Sequence, residues 1–121
     1  MSRAPFIRSF GYAFSGIAQA FRDGRNFKVQ LCFAILAIAL GIALAIDPVE
    51  WAVVVVCIAV VLGGECVNTA IEAVVDLVSP DYDERAKRAK DCAAGAVLLC
   101  SMASVVVAAL LFLPRIIQLV S

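Results

Sequence analysis

Short polar breaks divide this chain into four apolar or partly apolar segments. Between residues 5 and 22, phenylalanines and an isoleucine recur every three or four positions, while arginines, serines and a glutamine fill the other positions. This is the period of one helix face, so the segment is predicted to be an amphipathic helix lying in a membrane interface. A helix packed against its own bundle is an equally good interpretation of the same pattern.

Three longer apolar segments follow, at residues 29–46, 51–77 and about 90–113. Each is about long enough to cross a hydrocarbon core about 30 Å thick at 1.5 Å per residue. The last helix is predicted to begin near Arg85 and to stop at Pro114. These segments predict an all-α integral membrane protein with three transmembrane helices and an N-terminal amphipathic interfacial helix.

The composition and the distribution of charge agree with a membrane location. Hydrophobic residues make up 64% of the chain, against roughly 45–50% in globular proteins. We expect one domain over residues 1–121, with the mature chain starting near Met1. Basic residues gather before the first apolar segment, including Arg3, and in the loop of the 80s, which places both on the cytoplasmic side. The short turn at 47–50 and the C-terminus are then outside.

Cysteine and histidine usage narrows the possible chemistry. The five cysteines form no CxxC pair and all lie in or beside apolar segments, so they are interpreted as packing thiols. The chain contains no histidine. Catalytic triads with histidine and histidine-ligated zinc are therefore excluded, and any acid–base chemistry falls to carboxylates.

A polar stripe interrupts the apolar segment that begins at Trp51. Glu65, Asn68, Glu72 and Asp76 fall on one face of a helix with about 100° per residue. Carboxylates at membrane depth are costly and usually face a bundle interior or a wet cavity. The stripe is therefore the first candidate for a functional site.

The stripe and the basic loop together favour phosphoryl transfer. Carboxylates suit Mg²⁺ held partly by substrate phosphates, and the cations of the loop, Lys87, Arg88 and Lys90, are suited to a polyphosphate. The sequence has neither a Walker A motif nor GxGxxG. Two other interpretations of the stripe stay open at this point, namely hydrogen bonds between helices and an ion or proton pathway.

Two motifs carry a resemblance to a known family. Residues 65–76 read E-x-x-N-T-A-I-E-x-x-x-D, and residues 89–97 read A-K-D-x-A-A-G-A-V. The sequence resembles, over about residues 10–113, the small bacterial diacylglycerol kinase and undecaprenol kinase family. The resemblance implies an ATP- and Mg²⁺-dependent lipid kinase of the bacterial cytoplasmic membrane. It also implies a homotrimer with active sites shared between subunits, a lipid alcohol as substrate and no nucleic acid partner.

The resemblance also assigns roles to individual residues. Glu65 matches the family's proposed general base and Glu72 a metal-binding glutamate, with Asn68 between them. Lys90 and Asp91 match nucleotide-contacting positions, where the lysine would meet the phosphates. The remaining positions that match the nucleotide-binding region, or lie beside it, are Tyr12, Asp76, Asp81, Tyr82 and Asp83.

One departure from the family pattern concerns the metal. The family usually places a second metal-binding glutamate before an R-N-F or similar triplet, and that position here is Gly24. Asp23 is the expected substitute, with a shorter side chain. A histidine that is common after the triplet is Gln30 here, so any role would be a neutral hydrogen bond.

The lipid substrate is predicted only from the particular residues that occupy the motifs. The N-T-A-I-E and K-D-x-A-A-G-A-V segments and the ending Phe112, Leu113, Pro114 resemble the undecaprenol kinase branch more than the diacylglycerol kinase branch. The sequence therefore favours phosphorylation of undecaprenol, with diacylglycerol as the alternative. A small ion-coupled transporter and an inactive membrane scaffold remain alternatives of another class.

Overall fold

The computed structural model describes residues 5–121, which form four α-helices and no strand. The helices are α1 (Phe6–Asp23), α2 (Phe27–Ala43), α3 (Pro48–Val78) and α4 (Glu84–Val120). This confirms the predicted all-helical fold. The expectations for Met1 and Arg3 lie outside the described residues.

Two of these helices can each cross a membrane. α3 has 31 residues and α4 has 37, and both are long and apolar enough to span a membrane. α1 and α2 are long and apolar enough only when they are taken together, and the chain bends by 107° between them. α2 has 17 residues, about 26 Å of helix. The described chain thus has two or three membrane-capable spans, and a separate span at residues 29–46 stays a prediction.

The aromatic face of α1 is exposed along its length. Phe6, Phe10 and Phe14 are 78%, 53% and 69% exposed, and Ala20 is the residue of α1 that is buried. α1 contacts both α2 and α3 near its C-terminal end, where Ala20 and Phe27 are buried. The phenylalanine face is therefore free to contact lipid or another chain, and its position in an interface remains a prediction.

The start of α3 corrects the prediction of a turn at residues 47–50. Pro48 to Glu50 form the first turn of α3, and Asp47 is its N-cap. The Asp47 carboxylate accepts the Glu50 backbone N–H at 2.9 Å, and the Glu50 carboxylate accepts the Asp47 N–H at 3.1 Å. This capping box satisfies two N–H groups that have no partner within the helix, and Pro48 suits the first helical position. The bond from Glu50 also lowers the pKa of Asp47.

The predicted end of the last helix at Pro114 is wrong, because α4 continues to Val120. A proline inside a helix removes one backbone hydrogen bond and crowds the preceding turn. Contacts made by the residues after Pro114 favour continuation of the helix. Arg115 forms an ion pair with Glu50 of α3, and Ile116 packs against the core. Tertiary contacts therefore hold the segment beyond Pro114 in the helix.

A small hydrophobic core joins α2, α3 and α4. Ile46, Val54 and Phe112 are its buried centre. Trp51 is half-buried here, and its ring would lie 2.6 Å from a Cβ atom added at Gly41. Glycine thus lets the indole approach the α2 backbone closely. α3 packs chiefly against α4, which brings the polar half of α3 beside the first half of α4.

Candidate active site

Glu65 is the charged residue that the fold buries most completely. It lies on α3 and is 1% exposed. Its Oε1 atom has no hydrogen-bond partner within residues 5–121, and the same is true of Asn68 Oδ1 one turn later. Buried polar atoms are normally paired, so two unpaired acceptors side by side need a specific explanation. A hydroxyl or amide group of a ligand would supply the missing donor.

A chamber of about 180 Å³, called the polar chamber below, has Glu65 and Asn68 in its lining. It lies between α2, α3, α4 and the turn that precedes α2. Its lining comprises Arg25, Asn26, Gln30, Glu65, Asn68, Ala94, Val97, Leu98 and Ser101. The small and apolar residues of α4 form one wall, and polar residues form the others. The chamber can therefore hold a small polar group in a largely apolar setting.

Glu72 lies at the edge of this chamber and is held from two sides. Asn68 Nδ2 donates to Glu72 Oε1 at 3.3 Å, and the Arg25 guanidinium donates to the same oxygen at 3.2 Å. The Glu72 side chain is 24% exposed and the Arg25 side chain 82%. The ion pair is thus open to solvent on the arginine side and weak for that reason. Arg25 can leave Glu72 when another cation arrives.

Lys90 pairs with the polar stripe from α4. Its Nζ lies 2.5 Å from Asp76 Oδ1. One turn earlier, Lys87 Nζ lies 2.7 Å from Asp91 Oδ2, so two lysines and two aspartates form two ion pairs, one between α3 and α4 and one within α4. All four side chains are at least 40% exposed. Such exposed pairs exchange partners at little cost, which leaves the lysines accessible to a phosphate.

Seven residues predicted to contact the nucleotide or to lie beside it are outside the lining of the chamber in the described chain, namely Tyr12, Asp76, Asp81, Tyr82, Asp83, Lys90 and Asp91. Tyr12 and Tyr82 are 66% and 81% exposed. Asp83 instead caps α4, where hydrogen bonds from the Arg85 side chain and backbone lower its pKa. Their roles toward a nucleotide remain predictions.

The described residues do not assemble a metal cage. No group of three or more cysteine, histidine or acidic side chains within residues 5–121 is placed to hold a metal ion. Asp23, the predicted substitute ligand, accepts a hydrogen bond from Gln19 at 2.5 Å. A Cβ atom at Gly24 would lie 2.5 Å from the Ala20 carbonyl oxygen, so this turn favours glycine. Magnesium binding by Glu72 together with substrate phosphates stays a prediction.

Three residues of the site were given no firm role by the sequence. Arg25 belongs to the R-N-F triplet, but its contact with Glu72 spans 47 positions. Gln30 Nε2 donates to Ser101 Oγ at 2.8 Å, a contact over 71 positions. For Ser101 a signal existed: it follows Ala94, Val97 and Leu98 on one helical face of α4, as the polar member of that face.

An apolar groove adjoins the polar chamber. Its volume is about 310 Å³, and α2, α3 and α4 all contribute to its walls. Gln30 and Ser101 line both spaces. The remaining lining is mostly aliphatic and aromatic, including Phe33, Val61 and Leu111. A molecule with a polar head and a hydrocarbon tail matches the two spaces taken together.

The fold and this site define a class of protein: an all-helical membrane protein with a buried acidic site beside an apolar groove. Comparison with known proteins makes the class specific. The sequence profile described as prokaryotic diacylglycerol kinase matches residues 11–112. The chain belongs to the prokaryotic diacylglycerol kinase family, a family of lipid kinases found in bacterial membranes.

Relatives with both substrate names are similar to this chain. A diacylglycerol kinase of Synechocystis is 42% identical over 92% of the chain, and the match spans 64% of that protein's length. An undecaprenol kinase of Bacillus subtilis is 35% identical over 92% of the chain and 90% of its own length. A diacylglycerol kinase of Escherichia coli is 30% identical over 83% of the chain and 82% of its own length. The family is therefore established, and the lipid is left open.

Proposed function

We propose that this protein transfers the γ-phosphoryl group of ATP to undecaprenol at the cytoplasmic face of the membrane. The observation that carries the proposal is the unpaired, buried carboxylate oxygen of Glu65 in a chamber that adjoins an apolar groove. A lipid hydroxyl supplies the donor that this oxygen lacks, while its hydrocarbon tail occupies the groove. An ion or proton relay would have no need of that groove.

Proton transfer to Glu65 is the acid–base step. The hydroxyl of the lipid donates a hydrogen bond to the carboxylate and then gives up its proton as its oxygen attacks the γ-phosphorus. The new O–P bond forms while the bond from the γ-phosphorus to the β,γ-bridging oxygen breaks, and ADP leaves with that oxygen. Asn68, beside Glu65 and bonded to Glu72, orients the reacting groups.

The charges around the chamber position the nucleotide. Lys90 exchanges Asp76 for phosphate oxygens, and Asp91, released by Lys87, orients the lysine or the ribose. Glu72 would hold magnesium together with the phosphates, and the ion, when bound, neutralises charge on the transferred group. Asp23 is the proposed second carboxylate, with a shorter reach than the glutamate of the family pattern.

The membrane arrangement follows from the same chemistry. Lipid hydroxyls lie at headgroup depth, where water-soluble ATP also reaches. We place the N-terminus and the loop of the 80s in the cytoplasm and the C-terminus outside, because the basic residues flank the polar half of α3. The exposed phenylalanine face of α1 lies in the interface, and a homotrimer covers part of the remaining apolar surface.

Diacylglycerol is the second candidate acceptor. The Synechocystis relative, at 42% identity, carries that name, whereas the Bacillus subtilis undecaprenol kinase is 35% identical. The product would then be phosphatidic acid. Both acceptors have a primary hydroxyl and long hydrocarbon chains, so Glu65 would serve either one.

The test is phosphate transfer from labelled ATP to each lipid, presented separately in mixed micelles with Mg²⁺. We expect transfer to undecaprenol with the higher kcat/KM. A higher kcat/KM for diacylglycerol would instead show that diacylglycerol is the preferred acceptor. Transfer to neither lipid, by protein shown to be folded and monodisperse, would contradict the proposed function and favour a transporter or an inactive scaffold.

A further inference from the structure

Arg25 is the one cation among the residues of the described chain that line the polar chamber. Lys90, the proposed ligand of the nucleotide phosphates, lies outside that lining and pairs with Asp76. Glu65, with its unpaired Oε1 atom, belongs to the same lining as Arg25. The chamber therefore places one guanidinium and one free carboxylate oxygen around the same space.

The backbone at Arg25 is held in place, whereas its side chain can exchange partners. The residue lies in the turn between α1 and α2, where the Gly24 N–H donates to the Ala20 carbonyl at 2.7 Å and α2 begins at the buried Phe27. The Arg25 side chain is 82% exposed, so its ion pair with Glu72 is open to solvent and weak. The guanidinium can therefore leave Glu72 without a rearrangement of the two helices.

The transferred phosphoryl group must enter this chamber if Glu65 is the base. A base lies about 2.6–3.2 Å from the oxygen that it deprotonates, and the reacting atoms approach to about 3–3.5 Å before the new bond forms. The γ-phosphorus must therefore come within about 6 Å of the Glu65 carboxylate. Arg25 is the cation of the lining that the phosphoryl oxygens then meet, and a guanidinium can bind two such oxygens through parallel hydrogen bonds.

We propose that Arg25 is a catalytic residue that moves from Glu72 to the γ-phosphoryl group of ATP and stabilises the negative charge on its oxygens during transfer. This inference rests on the proposed function and deepens it. The lipid oxygen forms its bond to the γ-phosphorus, the bond to the β,γ-bridging oxygen breaks, and the lipid proton passes to Glu65. Arg25 exchanges hydrogen bonds only and keeps all its protons. Arginines placed against a transferred phosphoryl group accelerate other phosphoryl-transfer enzymes for the same reason.

The first test is Arg25→Met, assayed with labelled ATP, Mg²⁺ and the lipid alcohol that wild type phosphorylates. We expect kcat to fall about 10- to 150-fold, the effect of one hydrogen bond between charged groups, while KM for ATP changes by less than about twofold. The control is Arg22→Met, which removes the same charge at the exposed end of α1, outside the chamber lining, and should keep the wild-type kcat.

An unchanged kcat in Arg25→Met would overturn the inference. A lower Mg²⁺ requirement beside that unchanged kcat would show that Arg25 only neutralises Glu72 until the metal binds. Absence of transfer by wild type to either lipid is a different result, which contradicts the proposed function itself.

A binding measurement tests the same contact without turnover. ADP with Mg²⁺ and aluminium fluoride mimics the group in transfer, so wild type, with the lipid present, should bind ADP more tightly when aluminium fluoride is added. This gain in affinity should be lost in Arg25→Met, shown to be folded by its helical circular dichroism, and kept in Arg22→Met. A gain that is absent from wild type, or of equal size in both variants, would overturn the inference.

Discussion

Glu72 shares one carboxylate oxygen between Asn68 and Arg25, so its negative charge is partly balanced before any metal arrives. Arg25 is largely exposed, and an exposed ion pair contributes roughly 0–1 kcal/mol. The proposed magnesium ion, carried by phosphates, would therefore displace the guanidinium at little cost. At the scale of the residue, the site combines a buried carboxylate, Glu65, with a partly exposed one, Glu72.

Glu72→Gln should raise the Mg²⁺ concentration that gives half-maximal activity, because a proposed carboxylate ligand of the ion is lost. The measurement is a Mg²⁺ titration at saturating ATP. Asp23→Asn is measured beside it: a similar rise would establish Asp23 as a second ligand, and an unchanged curve would remove it from the site. An unchanged curve for Glu72→Gln would contradict its assignment.

Lys90→Met should raise KM for ATP by about tenfold or more, because a hydrogen bond between charged groups is lost. Steady-state kinetics with varied ATP measure the effect. Lys28→Met is the matched control, since it removes the same charge from α2, where the ammonium lies 5.2 Å from the Phe21 ring centre. An ion-coupled transporter would tolerate Lys90→Met as well as the control.

Residue spacing predicted the acidic face of the site but not its other walls. Glu65, Asn68 and Glu72 lie on one helix, so a helical period is enough to group them. The bond between Gln30 and Ser101 joins two helices across 71 positions, and its formation depends on packing that no local period encodes. Gly24 is a second example of a feature that residue spacing does not predict. A Cβ atom at this position would lie too close to the Ala20 carbonyl oxygen, and this closeness follows from the geometry of the turn.

At the scale of the element, the ends of the helices depend on contacts beyond the local sequence. α2 ends with Ala45 in a left-handed conformation, φ 51°, while the Ile46 N–H donates to the Gly41 carbonyl at 3.2 Å. This is the pattern of a Schellman motif with alanine where glycine is usual. The Cβ atom makes that conformation unfavourable.

Ala45→Gly should therefore stabilise the protein, by about 0.5–1 kcal/mol after the entropy cost of glycine is subtracted. Thermal unfolding in detergent, followed by the helical signal in circular dichroism, measures the change. Ala39→Gly, a change at an exposed position inside α2, is the control and should destabilise by a similar amount. A lower melting temperature for Ala45→Gly would contradict the assigned turn.

Arg115→Met should destabilise the end of the bundle that lies away from the site, by about 1–2 kcal/mol, because Glu50 loses its half-buried partner. The last turns of α4 should also lose protection in hydrogen exchange. Gln118→Met serves as the control on the same segment. Equal protection in both variants would show that Pro114 is accommodated without help from this ion pair.

Local rules predicted the start of α4 better than the start of α3 or the end of α4. Polar residues mark both starts, and Asp47 and Asp83 are the N-caps. Proline predicts a stop because it removes a backbone donor. The contacts of Arg115 and Ile116 with distant parts of the chain outweigh that loss, and they could not be read from the positions beside Pro114.

At the scale of the whole molecule, most of the apolar surface faces outward. The outer faces of all four helices expose large aliphatic or aromatic side chains, for example Phe14, Phe33, Val55 and Leu110. Polar groups are concentrated in the chamber and in the loop before α4. This distribution suits a protein surrounded by lipid, with one polar site at one end.

The most direct measurement is the turnover of Glu65→Gln. With labelled ATP, Mg²⁺ and undecaprenol in mixed micelles, kcat should fall about 10²- to 10⁴-fold, the usual contribution of a general base. KM for ATP should change little, and Glu84→Gln, at the exposed start of α4, should retain wild-type activity. Retained turnover in a folded Glu65→Gln variant would contradict the assignment of Glu65 as the group that accepts the proton of the lipid.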